Sequence, residues 1–232
     1  MEPDKNSIFR KFVWTLFRLI FRLLYHEFAW TYDWVAAAVS MGRWKSWILS
    51  VLPYLEHSVV LELGSGPGHL QVALARRGIV AYGLDSSWQM VKQARNRLNL
   101  NSFPGNITLG RAQSLPFPSG KFDKVVATFP SEYIFEPKTL SQVWRVLKTN
   151  GELIVIPVAW ITGKTMWDRL AADIFRITGQ VPGTDPESGD FGDFDPQILF
   201  EQRGFKVSKE IIRLSSSKVL VIRATKAFPT NN

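Results

Sequence analysis

The residues in this chain best suited to chemistry are Glu62-Leu63-Gly64-Ser65-Gly66-Pro67-Gly68. They follow an apolar run at residues 59–63 and precede a helical pattern that begins at Leu70. A strand, a glycine turn and a helix in that order let the backbone approach a ligand and aim helix N-terminal N–H groups at it. Three details narrow the ligand. The spacing is Gly-x-Gly-x-Gly, whereas a dinucleotide fingerprint needs Gly-x-Gly-x-x-Gly/Ala, and His69 stands where the last small residue belongs. Glu62 would repel a pyrophosphate but favour the ammonium of an amino-acid ligand. Asp85, which ends the next strand, is placed to accept hydrogen bonds from two ribose hydroxyls. A ligand with a ribose, an amino-acid moiety and no phosphate is S-adenosylmethionine.

Further segments carry a family resemblance. Val60-Leu61-Glu62-Leu63-Gly64-Ser65-Gly66-Pro67-Gly68 resembles the first motif of class I S-adenosylmethionine-dependent methyltransferases, and Gly83-Leu84-Asp85-Ser86-Ser87-Trp88-Gln89-Met90 resembles the second. Ala112-Gln113-Ser114-Leu115-Pro116-Phe117 and Phe122-Asp123-Lys124-Val125-Val126 are similar to the third and fourth. Trp144-Arg145-Val146-Leu147-Lys148-Thr149-Asn150-Gly151 is similar to the element that follows them, with Thr149-Asn150 in place of Pro-Gly. The match spans roughly residues 55–225 and resembles the methyltransferase type 11 subgroup. Residue chemistry and resemblance together nominate Glu62, Gly64, Ser65, Gly66, Gly68, His69, Asp85, Ser86, Met90, Ala112, Gln113 and Phe129 for the cofactor. One departure is Arg111, at a position where the family often has an Asp that accepts from the adenine amino group; Arg has no acceptor.

For the methyl acceptor, Ala29-Trp30-Thr31-Tyr32-Asp33 followed by Ser40-Met41-Gly42 resembles the segment preceding the catalytic domain in quinone C-methyltransferases and bacterial phospholipid N-methyltransferases. That resemblance implies that Tyr32 closes the active site. Phe129-Pro130-Ser131-Glu132-Tyr133 follows the fourth expected strand, where substrate-facing residues of an α/β sheet lie. Glu132 and Tyr133 are therefore candidates to orient or deprotonate the acceptor, against ordinary surface-loop roles. Gly163-Lys164-Thr165 imitates the end of a phosphate-binding loop, but Val158 stands where the earlier Gly is required.

The elements that would position these residues follow from periodicity. Strands are expected over residues 59–63, 79–84, 107–109, 122–129, 152–156, 206–213 and 218–224. Helices are expected over 32–55, 70–77, 87–98, 137–147, 165–178 and 196–203. This alternation predicts a Rossmann-like α/β fold: a mostly parallel seven-stranded sheet with helices on both faces and a C-terminal antiparallel strand pair. The predicted organisation is an N-terminal helical extension over residues 1–54 and a cofactor-binding domain over 55–232, with an insertion at about 160–195.

Within the extension, residues 8–30 are largely apolar and aromatic, while Lys11, Thr15, Arg18, Arg22 and His26 fall on one helical stripe. A basic stripe opposite a broad apolar face suits an amphipathic helix lying on a membrane surface, or one packed in a homodimer. A spanning helix would put Arg18 and Arg22 near the bilayer centre at about 2.5–3.5 kcal/mol each. The 232-residue chain has a formal net charge of +8 without a basic run or an RNA-binding signature, which argues against nucleic acid as partner. It has no cysteine, and its three histidines are scattered, so no metal site is expected. The expectation is a cytoplasmic enzyme, peripheral on the membrane face, that methylates a small lipophilic acceptor such as a prenylated quinone or a phospholipid amine. The alternatives are a soluble small-molecule methyltransferase that dimerises through its helix and a non-catalytic cofactor-binding partner subunit.

Overall fold

A computed structural model describes residues 42–163 and 196–227. Tyr32, the helix expected over 8–30 and the helix expected over 165–178 lie outside these residues.

Five strands form the parallel part of the sheet: β1 (Val60–Leu63), β2 (Ala81–Asp85), β3 (Ile107–Leu109), β4 (Phe122–Thr128) and β5 (Leu147–Ile156). Their order is β3-β2-β1-β4-β5, and each neighbouring pair is parallel. The short β6 (Ala159–Ile161) and the hairpin of β7 (Phe205–Leu214) and β8 (Ser217–Lys226) complete it. β8 runs antiparallel to β5, β6 and β7. Among the described residues the sheet therefore has eight strands, where seven were expected. The addition is β6, which takes up the stretch of β8 at Ser217–Val219 that β5 leaves unpaired. β5 also starts five residues before its expected place, because the buried Leu147 pairs with Phe122 across a register shift in β4.

Helices cover both faces. α1 (Trp44–Leu49), a 3-10 turn (Leu52–Tyr54) and α2 (His69–Arg76) pack on one face; α4 (Pro137–Val146) and α5 (Pro196–Glu201) pack on the other. The strand pleat sorts the core. Val125 and Ala127 of β4 join Leu140, Val143 and Phe200, while Val126 joins Trp47, Leu70 and Leu74. α3 (Trp88–Leu100) buries Val91, Ala94 and Leu98 against Val72 and Ile107. Its first turn is capped by Ser87, whose hydroxyl accepts the Met90 N–H. The continuous helix expected over 32–55 is broken in its described part: α1 has six residues, and Pro53 opens the 3-10 turn instead of extending it.

At the end of the sheet away from the glycine turn, Glu152 is buried between Lys124 and Arg223, with Arg223 Nη2 at 2.7 Å and Thr225 Oγ1 donating at 3.1 Å. Burial raises its carboxyl pKa, but the Lys124 hydrogen bond and charge, reinforced by Arg223, outweigh burial and leave it below the ordinary value. A depressed folded-state value gives stability that is present above the unfolded carboxylate pKa and lost as pH falls through the folded one. Glu152→Ala is expected to lose about 2–3 kcal/mol at neutral pH, since it strands two partly buried cations. Urea melts at pH 7 and pH 3 check this: the difference between variant and parent should shrink at the lower pH.

Candidate functional site

Because β1, β2 and β4 run parallel, their carboxyl ends meet at one edge of the sheet. The strand order reverses direction between β1 and β4, the point at which α/β sheets open a crevice. The glycine turn fills the β1 side of that crevice. Gly64, Gly66 and Gly68 have φ of +70°, +50° and +84°, a region L side chains avoid.

The turn satisfies most of its own amides. Gly64 and Ser65 donate to the Leu84 carbonyl at 2.8 and 3.1 Å, and Gly68 donates to Ser65 at 3.0 Å. Gly66 donates to Asp85 Oδ2 at 2.8 Å, while Asp85 Oδ1 accepts from Ser87 N–H at 2.9 Å. Asp85 is thus a buried brace that ties the glycine turn to the start of α3, and ribose hydroxyls would use its remaining lone pairs. α2 opens behind Gly68 with no side chain capping it, which leaves its N-terminus suited to an anion.

Glu62 is the other carboxyl of the site. It is 2% exposed and accepts one hydrogen bond, from Gln71 Nε2 at 2.8 Å. Burial pushes its carboxyl up to about 8, the Gln71 bond opposes that, and the neighbouring Asp85 charge adds to it. A cation seated beside it would reverse that imbalance. The Ser65 hydroxyl is buried without a hydrogen-bond partner and packs toward Gly83.

Glu62, Gly64, Ser65, Gly66 and His69 line a small cavity of about 30 Å³ with Trp44, Ile48, Pro67, Leu70 and Thr128. Its polar groups are backbone amides, Glu62, Ser65, His69 and Thr128; among the described residues no Lys or Arg lines it. Tyr133, in the 3-10 turn Glu132–Phe135, reaches the start of the glycine turn, where its hydroxyl donates to the Leu63 carbonyl at 3.2 Å. That oxygen lies 2.8 Å from where a Cβ on Gly64 would stand. Burial and then the charges of Asp85 and Glu62 raise the Tyr133 phenol well above its ordinary value, so it keeps its proton and acts as a donor. Glu132, beside it, is exposed.

Of the residues nominated from sequence, Glu62, Gly64, Ser65, Gly66 and His69 come together at the cavity, with Asp85 behind the turn. Gly68 packs on α3 instead, and Met90, at 0% exposure, belongs to the core under α3. Ala112 is buried in the main core, Ser86 is exposed, and Gln113 donates to Glu136 at the surface at 2.9 Å. Phe129 stands at the end of β4 with φ of +50°, a strained backbone for an aromatic residue, and packs behind Trp44. Sequence reasoning missed Trp44. The available signal was the pair Trp44 and Trp47, three residues apart in the segment entering β1.

Among the described residues no cluster of His, Asp and Glu could hold a metal, and no helix is long and apolar enough to cross a membrane.

Residues 60–151 match a family model described as a methyltransferase domain. A demethylmenaquinone methyltransferase of Symbiobacterium thermophilum is 30% identical over 145 residues, covering 58% of this chain and 57% of the relative. A ubiquinone/menaquinone biosynthesis C-methyltransferase of Hydrogenovibrio crunogenus is 30% identical over 149 residues, covering 60% of this chain and 58% of the relative. The chain thus spans somewhat more than half the length of these curated relatives. The crystal structure of a SAM-dependent methyltransferase from Aquifex aeolicus shares the fold, with a TM-score of 0.56 at 18% identity over 83% of this chain and 98% of that one.

Proposed function

We propose that the chain, whose residues 60–151 match a methyltransferase domain, is a class I S-adenosylmethionine-dependent methyltransferase that transfers a methyl group to a ring carbon of a prenylated quinone at a membrane surface. The observation that carries the reading is the pair of buried carboxyls, Glu62 and Asp85, on either side of a left-handed glycine turn. That donor and acceptor set fits an adenosyl amino acid: a cationic end at Glu62, a carboxylate at the α2 N-terminus near His69, and a ribose at Asp85. The relatives named as a demethylmenaquinone methyltransferase and a ubiquinone/menaquinone biosynthesis C-methyltransferase support the acceptor. The basic-striped apolar pattern of residues 8–30 supports the membrane surface.

When bound, S-adenosylmethionine supplies a methyl group already activated by the positive sulfur, so the protein's task is alignment and exclusion of water. Asp85 fixes the shape of the turn, and Glu62 fixes the direction of the amino-acid end. Tyr133, covering the turn, must swing off Gly64 to admit a ligand, and its retained proton makes it a hydrogen-bond donor to an acceptor oxygen and not a base. Tyr32 would close the site from the N-terminal segment, as the resemblance implies.

Quinone and phospholipid extracts incubated with full-length protein and isotopically labelled cofactor test the acceptor. Label on a ring carbon of the quinone fraction is expected; label on a phospholipid amine instead would overturn this choice. Flotation with anionic liposomes tests the surface: the full chain should float, and a chain starting at Tyr32 should not.

Asp85→Ala should weaken cofactor binding by about 1.5–3 kcal/mol and lower the melting temperature as well, because ligand and turn lean on the same carboxylate. Calorimetry and thermal melts on one preparation check this. Lowered stability with unchanged affinity would restrict Asp85 to bracing the turn.

A further inference from the structure

The cavity at the glycine turn has one acidic and one aromatic residue in its lining. Glu62 supplies the acid, and Trp44 supplies the aromatic wall. Two tryptophans of α1 divide the labour. Trp47 is fully buried and its indole N–H donates to Ser217 Oγ at 2.8 Å, so it anchors the helix. Trp44 is only partly buried and lines the cavity.

Trp44 is held in place from behind. Its ring centroid is 4.5 Å from that of Phe129, tilted by 33°, and 6.5 Å from Trp47, nearly edge-on. Phe129 adopts its left-handed backbone at the point where β4 delivers it to this contact. Arg43 Nε, one residue before α1, donates to Ser216 Oγ at 2.7 Å and adds a second tie to the β7–β8 turn. A partly open tryptophan fixed by this much structure is a wall for a ligand.

The ligand of this domain carries two positive charges of different kinds. Its ammonium has N–H donors that a carboxylate can accept. Its sulfonium has none, so only a diffuse negative partner such as an aromatic face recognises it. We propose that Trp44 is the residue that reads the positive sulfur of S-adenosylmethionine, distinguishing the charged methyl donor from the neutral product S-adenosylhomocysteine. The inference rests on the methyltransferase reading above. Methyl transfer breaks the carbon–sulfur bond, leaves its electron pair on sulfur and abolishes that charge. The indole therefore favours the donor and lets go of the product.

Titration calorimetry of both ligands on full-length protein carrying Trp44, Trp44→Tyr, Trp44→Phe and Trp44→Leu tests this. The preference for donor over product should fall in that order, the order of face strength toward a cation, with roughly a tenfold loss of donor affinity in the Leu variant. Product affinity should stay within about twofold throughout. Thermal melts identify any variant that does not fold; the Tyr and Phe variants keep an aromatic ring and carry the comparison without the Leu variant. Equal loss for both ligands would make Trp44 a packing wall and overturn the inference, as would no loss for either. If the unaltered protein binds neither ligand, the methyltransferase reading itself fails.

Discussion

Glu62→Gln is expected to cripple S-adenosylmethionine binding and, at the same time, raise the melting temperature. Both effects come from one buried carboxyl. With only the Gln71 amide as hydrogen-bond partner, Glu62 has its pKa pushed by burial from an ordinary 4.5 up to about 8. A group whose folded pKa lies above its unfolded value stabilises the fold fully below the unfolded pKa, and that contribution is lost as pH rises through the folded one. At neutral pH the unfolded chain ionises Glu62 freely while the folded chain must keep it protonated, which penalises folding. Glutamine keeps the shape and can still accept from Gln71, and it has no charge to desolvate.

Displacement from 4.5 to about 8 is an upper bound on the gain. The new amide N–H, poorly satisfied in the same space, takes part of it back, leaving about 1–3 kcal/mol. For a chain of this size that is roughly 3–10 °C in melting temperature. The gain should be absent at pH 4, grow up to about pH 8 and then level off. Binding moves the other way. Loss of the carboxylate opposite an ammonium removes about 2–3 kcal/mol, or roughly 30- to 160-fold in Kd. Donor and product carry the same amino-acid end, so both should lose equally, which separates this residue from Trp44. Melts across pH 4–9 and calorimetry with both ligands read the two halves; unchanged affinity would remove Glu62 from the ligand's path.

Gly66→Ala and Gly68→Ala should fail for different reasons although the two glycines are two residues apart. A Cβ on Gly68 would lie 2.9 Å from both Cα and Cβ of Ala94, and its φ is +84°. The atom in the way is helix backbone, so α3 would have to slide. Overpacking and backbone strain together should destabilise the fold by about 3–4 kcal/mol. A Cβ on Gly66 would meet no atom within 4 Å, at φ +50°. That variant should lose only about 1–2 kcal/mol of stability to backbone strain while its methyl group blocks ligand approach and binding drops more than tenfold. Denaturation curves and calorimetry on the two proteins should show the opposite pattern of damage. A stable Gly68→Ala protein would contradict the packing described here.

The sheet was legible because β1, β2 and β4 read as short apolar runs bounded by turn residues, and those runs end where Glu62, Asp85 and Phe129 stand. The third glycine's role was not. A motif states that small residues are needed and leaves open whether ligand or neighbouring helix demands them; at Gly68 the demand comes from Ala94. Met90 and Ala112 were nominated for the ligand by resemblance, yet both point into the core, since a motif match does not say which side of an element a residue occupies. Tyr133 reaches back seventy residues to Leu63, a contact that no local pattern encodes. Trp44 sits on a helix of six residues, too short to declare a face by periodicity. β6 has three residues and exists because β8 offers it a free edge.

The ties of α1 to the β7–β8 turn impose an order on how the molecule comes into being. Arg43 reaches Ser216 across 173 residues and Trp47 reaches Ser217 across 170. The glycine turn, β2 and α3 leave the ribosome long before those serines do. A growing chain can therefore assemble the strands and helix that flank the turn, but a chain that stops before residue 216 has neither tie for the helix that carries Trp44. The closure is also the kind of non-local contact that is slow to form. Until that hairpin emerges, α1 and the cavity wall it carries lack both of these anchors.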